Sequence, residues 1–172
     1  MDETGHTFRA RVGTTWAPRG QPPILRRVSQ RREVSSIAAL VAPLDGPPRL
    51  YARHFPGGIH GEQVRVALRY FRRCIGRGLV VLWDHLPAHQ AQAVADFVAA
   101  RPADYQLEWL PPYAPEVNPE EQCNGVVKQE VLNAQPDSVP ELQRLARRSF
   151  RRLGRRPTVL RGFFDHVGLD LT

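Results

Sequence analysis

The residues best placed to do chemistry are carboxylates at the ends of apolar or turn-rich segments. Leu79-Val-Val-Leu-Trp83 is a near-continuous apolar run, and Asp84 follows it directly. Such a run predicts a strand covered on both faces. An acid at its carboxyl end stands at the sheet edge, where α/β folds place their sites. A helix cap or a turn aspartate is the competing reading, since a loop follows. A second acidic group, Glu120-Glu121, comes just after Asn118-Pro119. Asparagine as cap and proline at the first position predict a helix start there. Asn118 with Glu121 three residues on is a capping box in all but the cap's identity, which requires no catalysis. A carboxylate in a first helical turn also faces the end of a neighbouring strand when helix packs on sheet, so one residue can both cap and ligate a metal. Successive helical residues point about 100° apart, so only one of Glu120 and Glu121 can face the end of the Asp84 strand.

The elements that must position these acids follow from the rest of the pattern. Phe8–Val12 alternates well enough for a strand, and Ala17–Pro23 is a turn-rich loop. Arg26, Arg27, Arg31 and Arg32 mark a basic strand or loop. Ser35–Ala42 predicts a buried strand stopped by Pro43, and Leu50–Phe55 its hairpin partner. Val64, Leu68, Phe71 and Ile75 recur at helical spacing between His60 and Ile75, and Gly76 and Gly78 end that helix. After the Asp84 strand come a helix over Ala88–Ala100 and a strand over Gln106–Leu110. The helix from Asn118 runs to about Leu132, Ser138 opens another, and Pro157 marks a short last one. Strands followed by helix–strand–helix–strand–helix, with a helical tail, give an α/β layout.

The 172 residues suit one domain with a real core. No stretch approaches the roughly 20 apolar residues of a membrane helix, and the first thirty residues lack the apolar core of a signal peptide. A cytoplasmic protein with no membrane partner is the expectation. Cys74 and Cys123 stand in unrelated contexts, which excludes a disulfide framework and a four-cysteine zinc site. The net charge of +7 and pI near 10.4 come almost wholly from arginine, Lys128 being the only lysine. That surplus favours an anionic partner, most commonly nucleic acid. Arg144, Arg148, Arg151 and Arg152 form one stripe on the penultimate helix, opposite Leu142, Leu145 and Phe150. It is either a solvated face or a set of phosphate contacts that position DNA without reading sequence.

One stretch carries more than composition. Asp84-His-Leu-Pro-Ala-His89, followed by Leu110-Pro-Pro-Tyr113-Ala-Pro115-Glu-Val-Asn118-Pro119-Glu-Glu121, resembles transposases of the IS630/Tc1-mariner group. That family also carries an Asp-Glu near the start of its catalytic domain, here Asp2-Glu3-Thr4-Gly5. The resemblance spans about residues 2–132. It implies an RNase H-like mixed sheet flanked by helices, and an acidic triad of Asp2, Asp84 and Glu121, the spacing Asn-Pro-x-Glu selecting Glu121 over Glu120. Glu120 is then expected to be an exposed first-turn acid favoured by the helix dipole, and Glu3 to point away from Asp2. The implied cofactor is Mg²⁺, with Mn²⁺ able to substitute; two such ions about 4 Å apart clamp the attacking and leaving oxygens of a phosphoryl displacement. His89 is expected to support the site rather than ligate, because histidine does not suit Mg²⁺. His85 stands where the family usually has asparagine, and Asn124 where it has tryptophan.

The implied partners are DNA, as transposon ends and target, and a second copy or another chain supplying the family's N-terminal DNA-binding modules. Residues 1–135 are expected to form the catalytic domain, and 136–172 a basic helical extension of it. The strand leading into Asp2 is expected to be truncated, which suggests a partial reading frame. Two alternatives follow: a regulatory fragment that binds DNA or a full transposase without catalysis, and an RNase H-like nuclease with no joining step.

Overall fold

The computed structural model describes residues 1–7, 17–21, 33–112, 114–134, 136 and 138–171, with the side chain of Asn133 outside that set. The strand expected over Phe8–Val12 and the basic segment from Arg26 to Arg32 lie outside the described residues. The elements in chain order are β1 (Asp2–Thr7), β2 (Glu33–Val41), β3 (Arg49–Pro56), α1 (Gly61–Ile75), β4 (Leu79–Trp83), α2 (Gln92–Ala99), β5 (Tyr105–Trp109), α3 (Glu120–Ala134), α4 (Val139–Leu153) and α5 (Pro157–His166). The α/β order read from the sequence stands, with boundaries shifted by a few residues.

Local chemistry explains most of the boundaries. The Gln63 side chain accepts a hydrogen bond from His60 N at 3.0 Å, fixing the start of α1. Gly76 ends it in the left-handed conformation at φ 78°, and its N–H returns to Arg72 O. Asn118 Oδ1 accepts from Glu120 N at 3.2 Å, as a cap should, and Ser138 Oγ accepts from Glu141 N at 3.3 Å at the head of α4. The helix expected from Ala88 starts only at Gln92, because residues 87–90 form a turn.

The strands lie in two small sheets flanked by helices: an antiparallel β1-β2-β3 and a parallel β4-β5 pair. Met1 N donates to Leu82 O at 2.8 Å, so the start of β1 lies beside the end of β4 without a continuous ladder. In the first sheet Asp2 pairs with Ala38, and Ala38 with Ala52. One apolar cluster joins Val34 and Ala38 to Cys123, Val127, Leu142, Phe150 and Leu160 of α3, α4 and α5. The other joins Ile37 to Val64, Leu68 and Phe71 of α1, Val81 and Trp83 of β4, and Val94 and Phe97 of α2. The first sheet is therefore covered on both faces. The β4 strand is not, contrary to its apolar run: Val80 is 60% and Leu82 49% exposed. Its inner residues Val81 and Trp83 pack against α1 and α2, while the opposite face has no such cover among the described residues.

Candidate active site

β1 was not read from the sequence because Asp-Glu-Thr-Gly-His-Thr contains no apolar side chain. Its alternation is nonetheless strict, since Asp2, Thr4 and His6 are buried while Glu3, Gly5 and Thr7 are less so. Asp2 faces α3. Its Oδ1 accepts from Glu3 N at 2.7 Å and its Oδ2 from Asn124 Nδ2 at 3.1 Å. The same Asn124 amide nitrogen donates to Glu120 Oε2 at 2.8 Å. Both Asn124 and Glu120 are almost fully buried, at 1% exposure. Glu120 is thus not the exposed first-turn acid expected from the sequence. Helix α3 turns it inward against β1 and leaves Glu121 exposed. The i, i+4 spacing of Glu120 and Asn124, two polar residues on one helical stripe, was the available signal for this network.

Asp84 lies at the carboxyl end of β4, as the apolar run predicted. Its Oδ1 accepts from Leu86 N at 3.2 Å and lies 2.9 Å from His89 Nδ1. The His89 ring stacks on Trp83 at 4.5 Å between centroids and 14° between planes. Its Nε2 lies 3.3 Å from Glu3 Oε1. Glu3 therefore does point away from the Asn124 network, and His89 ties the loop after β4 back to β1. Nearby, the His85 ring stacks on Trp109 at 4.9 Å.

Electrostatics tie the acids together. Burial raises the Asp2 carboxyl to about 6, opposed by the Glu3 N–H, and the charges of Glu121 and Asp84 add to the rise. Burial, with Asp2 beside it, pushes Glu120 well above the ordinary carboxylate range. Burial would lower His89, but the Glu3 and Asp84 carboxylates outweigh it and its pKa is raised. Glu121 from a helix and Asp84 from a strand end thus both act on Asp2. Their oxygen donors suit a hard divalent cation. Among the described residues no group of three such side chains is close enough to enclose one ion.

The arginine stripe divides. Arg144 and Arg148 are exposed, while Arg152 is engaged in an ion pair with Glu130. Burial pushes the Glu130 carboxyl up, but the Ser149 hydroxyl and Arg152 hold it below its usual range. Arg151 turns with Arg147 towards β3. No helix among the described residues is long and apolar enough to cross a membrane.

The sequence profile of the DDE superfamily endonucleases matches residues 1–143. No curated protein matches the chain in sequence. Among solved structures, the Mos1 mariner paired-end complex with Mn aligns at TM-score 0.53 and 16% identity, covering 92% of this chain and 53% of that one. The mariner Mos1 paired-end complex with Mg aligns at TM-score 0.63 and 15% identity, covering 96% and 52%. The Mos1 strand transfer complex aligns at TM-score 0.51 and 14% identity, covering 98% and 53%. The chain spans about half the length of these structures, and the shared architecture is the RNase H-like fold that its central motif implied.

Proposed function

The chain belongs to the DDE superfamily endonucleases, and on that premise we propose that it is the catalytic domain of a DNA transposase, cleaving DNA strands and joining them to a new site. Asp2, Asp84 and Glu121 are the proposed metal ligands and catalytic groups. The observation that carries this is the Asp2 carboxyl, raised by burial and by the charges of Glu121 and Asp84 from two other elements. Three such acids repel one another, and a divalent cation between them relieves the repulsion. Magnesium, with manganese as substitute, would supply an activated oxygen nucleophile and stabilise the leaving oxygen of the phosphoryl transfer.

This chain's own residues orient and hold. Asn124 fixes one Asp2 oxygen and the Glu3 N–H the other, so the carboxylate plane is set before any ligand arrives. His89 and Leu86 N both engage Asp84 Oδ1, leaving Oδ2 with no protein partner among the described residues. The neighbouring Glu120 is buried, with its Oε2 taken by the Asn124 amide. Exposed Glu121 is free to ligate. DNA is the proposed substrate and partner, with Arg144, Arg148, Arg151 and Arg152 as candidate phosphate contacts; the pairing of Arg152 with Glu130 makes it the weakest of the four. Residues 1–135 form the proposed catalytic domain and 136–172 its extension, with pairing of two copies to hold two DNA ends.

Nicking of a supercoiled plasmid with Mg²⁺ or Mn²⁺ tests this, comparing the chain with Asp2→Ala, Asp84→Ala and Glu121→Ala. Metal-dependent nicking lost in all three supports the assignment. A folded chain that binds DNA but never nicks it points to a regulatory role. Nicking without joining of a pre-cleaved 3′-hydroxyl end points to a simple nuclease.

A further inference from the structure

A second charged feature lies away from the acids, across the first sheet. Asp2 pairs with Ala38 and Ala38 with Ala52, so β3 stands two strands over from β1, at the far edge of the sheet. There a cavity of about 400 Å³ opens between β3, α1 and α4. Tyr51, Arg53 and His54 come from β3, Tyr70 from α1, and Arg147 and Arg151 from α4. Its lining holds three guanidinium groups and no carboxylate. Elsewhere Arg65 pairs with Glu62 and Arg72 with Asp104. Among the described residues Arg53, Arg147 and Arg151 have no ion pair; Arg53 only lies over the Tyr70 ring, 5.6 Å from its centroid.

The sequence accounts for this concentration. Arg147 and Arg151 are one helical turn apart on α4, on the side next to the Leu142, Ala146, Phe150 and Leu153 face that packs into the core. Arg53 and Tyr51 alternate with Ala52 and His54 along β3, so the edge strand feeds the cavity from both of its faces. His54 is fixed from behind. Its Nδ1 lies 2.8 Å from Ser36 Oγ, which in turn lies 3.2 Å from His6 Nε2, leaving the Nε2 edge of His54 as its unengaged side. Burial, then Arg147 and Arg53, push the His54 ring down to about 4.

We propose that this cavity binds the phosphate group of a nucleotide unit, with Arg53, Arg147 and Arg151 as its anion contacts and Tyr51 and Tyr70 beside the attached sugar or base. Guanidinium forks match the paired oxygens of phosphate and carboxylate alike, and three unpaired ones around one concave surface suit the higher charge and additional oxygens of a phosphate. A volume of about 400 Å³ exceeds what one phosphate fills and falls within the range of small-molecule sites. Two phenol rings supply the apolar and stacking surface that a nucleoside needs. The site is independent of the acidic cluster and needs no metal. The phosphate comes either from a DNA backbone or from a free mononucleotide, and both present the same group.

Titration of the full chain with inorganic phosphate, 5′-dAMP and a 30-base-pair duplex, without divalent metal and at low salt, tests the proposal by following the His54 ring by NMR. Saturable perturbation of His54 with a raised titration midpoint is expected, since a bound anion offsets the two guanidinium charges. The pair Arg147→Gln with Arg151→Gln should weaken dAMP or phosphate binding at least about tenfold, from the size of charged hydrogen bonds. Arg73→Gln with Arg77→Gln, exposed and outside the cavity, should leave it unchanged. If the duplex perturbs His54 and displaces dAMP, the ligand is backbone phosphate. If dAMP binds and the duplex does not displace it, the ligand is a free nucleotide. No saturable change at His54 with any of the three probes, or a change indifferent to the Arg147 and Arg151 substitutions, overturns the site. Plasmid nicking reads the acidic cluster separately, so either proposal can fail alone.

Discussion

Replacing Glu120 and Glu121 one at a time separates an acid that braces β1 from an acid proposed to ligate metal. Glu120 is 1% exposed and accepts from Asn124 Nδ2 at 2.8 Å. Glu120→Ala strands that amide hydrogen in the interior, at a cost of about 1–3 kcal/mol. For a chain of this size that is a fall of roughly 2–12 °C in Tm. Glu120→Gln keeps an acceptor for Asn124 and should cost less than about 1 kcal/mol. Glu121 is exposed, so Glu121→Gln should move metal-free stability by no more than about 0.5 kcal/mol. Activity should sort the other way. Losing a charge-stabilising group from the reacting centre costs on the order of 100-fold or more. Disturbing a residue that acts through a neighbour costs on the order of 10- to 100-fold, and Glu120→Gln preserves most of that contact. Metal-dependent nicking should therefore collapse in Glu121→Gln and survive within about tenfold in Glu120→Gln. Thermal melting without metal, paired with the plasmid assay, reads both quantities. Collapse in Glu120→Gln with survival in Glu121→Gln would refute the assignment and make the buried glutamate the ligand.

Further outcomes follow from other contacts. His54 binds its proton less readily when folded, down to about 4 against an ordinary value near 6.5. The unfolded chain therefore takes up protons first, and stability is full above about pH 6.5 and falls towards pH 4. The loss is about 2–3 kcal/mol, read as the difference in pH-dependent melting between the chain and His54→Asn; parallel profiles would contradict it. His89→Ala removes the link between Asp84 and Glu3 and should cut nicking roughly 10- to 100-fold in kcat, while His89→Gln recovers part of it. Leu68→Ala, at 0% exposure, should cost about 2–5 kcal/mol, whereas Val80→Thr, at 60% exposure, should cost under about 0.5, both by denaturant unfolding.

Much of this fold is legible in the sequence wherever a regular apolar period or a cap was present. α1 announces itself through Val64, Leu68 and Phe71, and α4 through Ser138 and the Leu142-Ala146-Phe150 stripe. The strand before Asp84 is legible as a strand, but its apolar run says nothing about whether a neighbour covers Val80 and Leu82. That depends on how far β1 extends alongside β4, which is tertiary information. β1 itself was hidden because its buried positions are aspartate, threonine and histidine, the reverse of what hydrophobic patterning seeks. The choice between Glu120 and Glu121 has the same origin. Helix geometry states that only one can face inward, and the position of β1 against α3 decides which side is inward. The motif picks out the candidate acids along the chain, and packing assigns their surroundings. Likewise, the cavity beside β3 gathers residues from positions 51 to 151, a convergence that no local window contains.

The strict alternation of β1 also bears on how the gene can vary. Two adjacent acids occupy opposite sides of one short strand, Asp2 against Asn124 and Glu3 against His89. Deleting Thr4 would slide the preceding residues by one position against β2 and exchange those sides. Aspartate would then take the place of Glu3 beside the imidazole, and Met1 the place of Asp2 against Asn124, leaving the sequence still acidic but the cleft wired backwards. Length variation among relatives should therefore be rare within β1, a constraint set by strand parity rather than by charge.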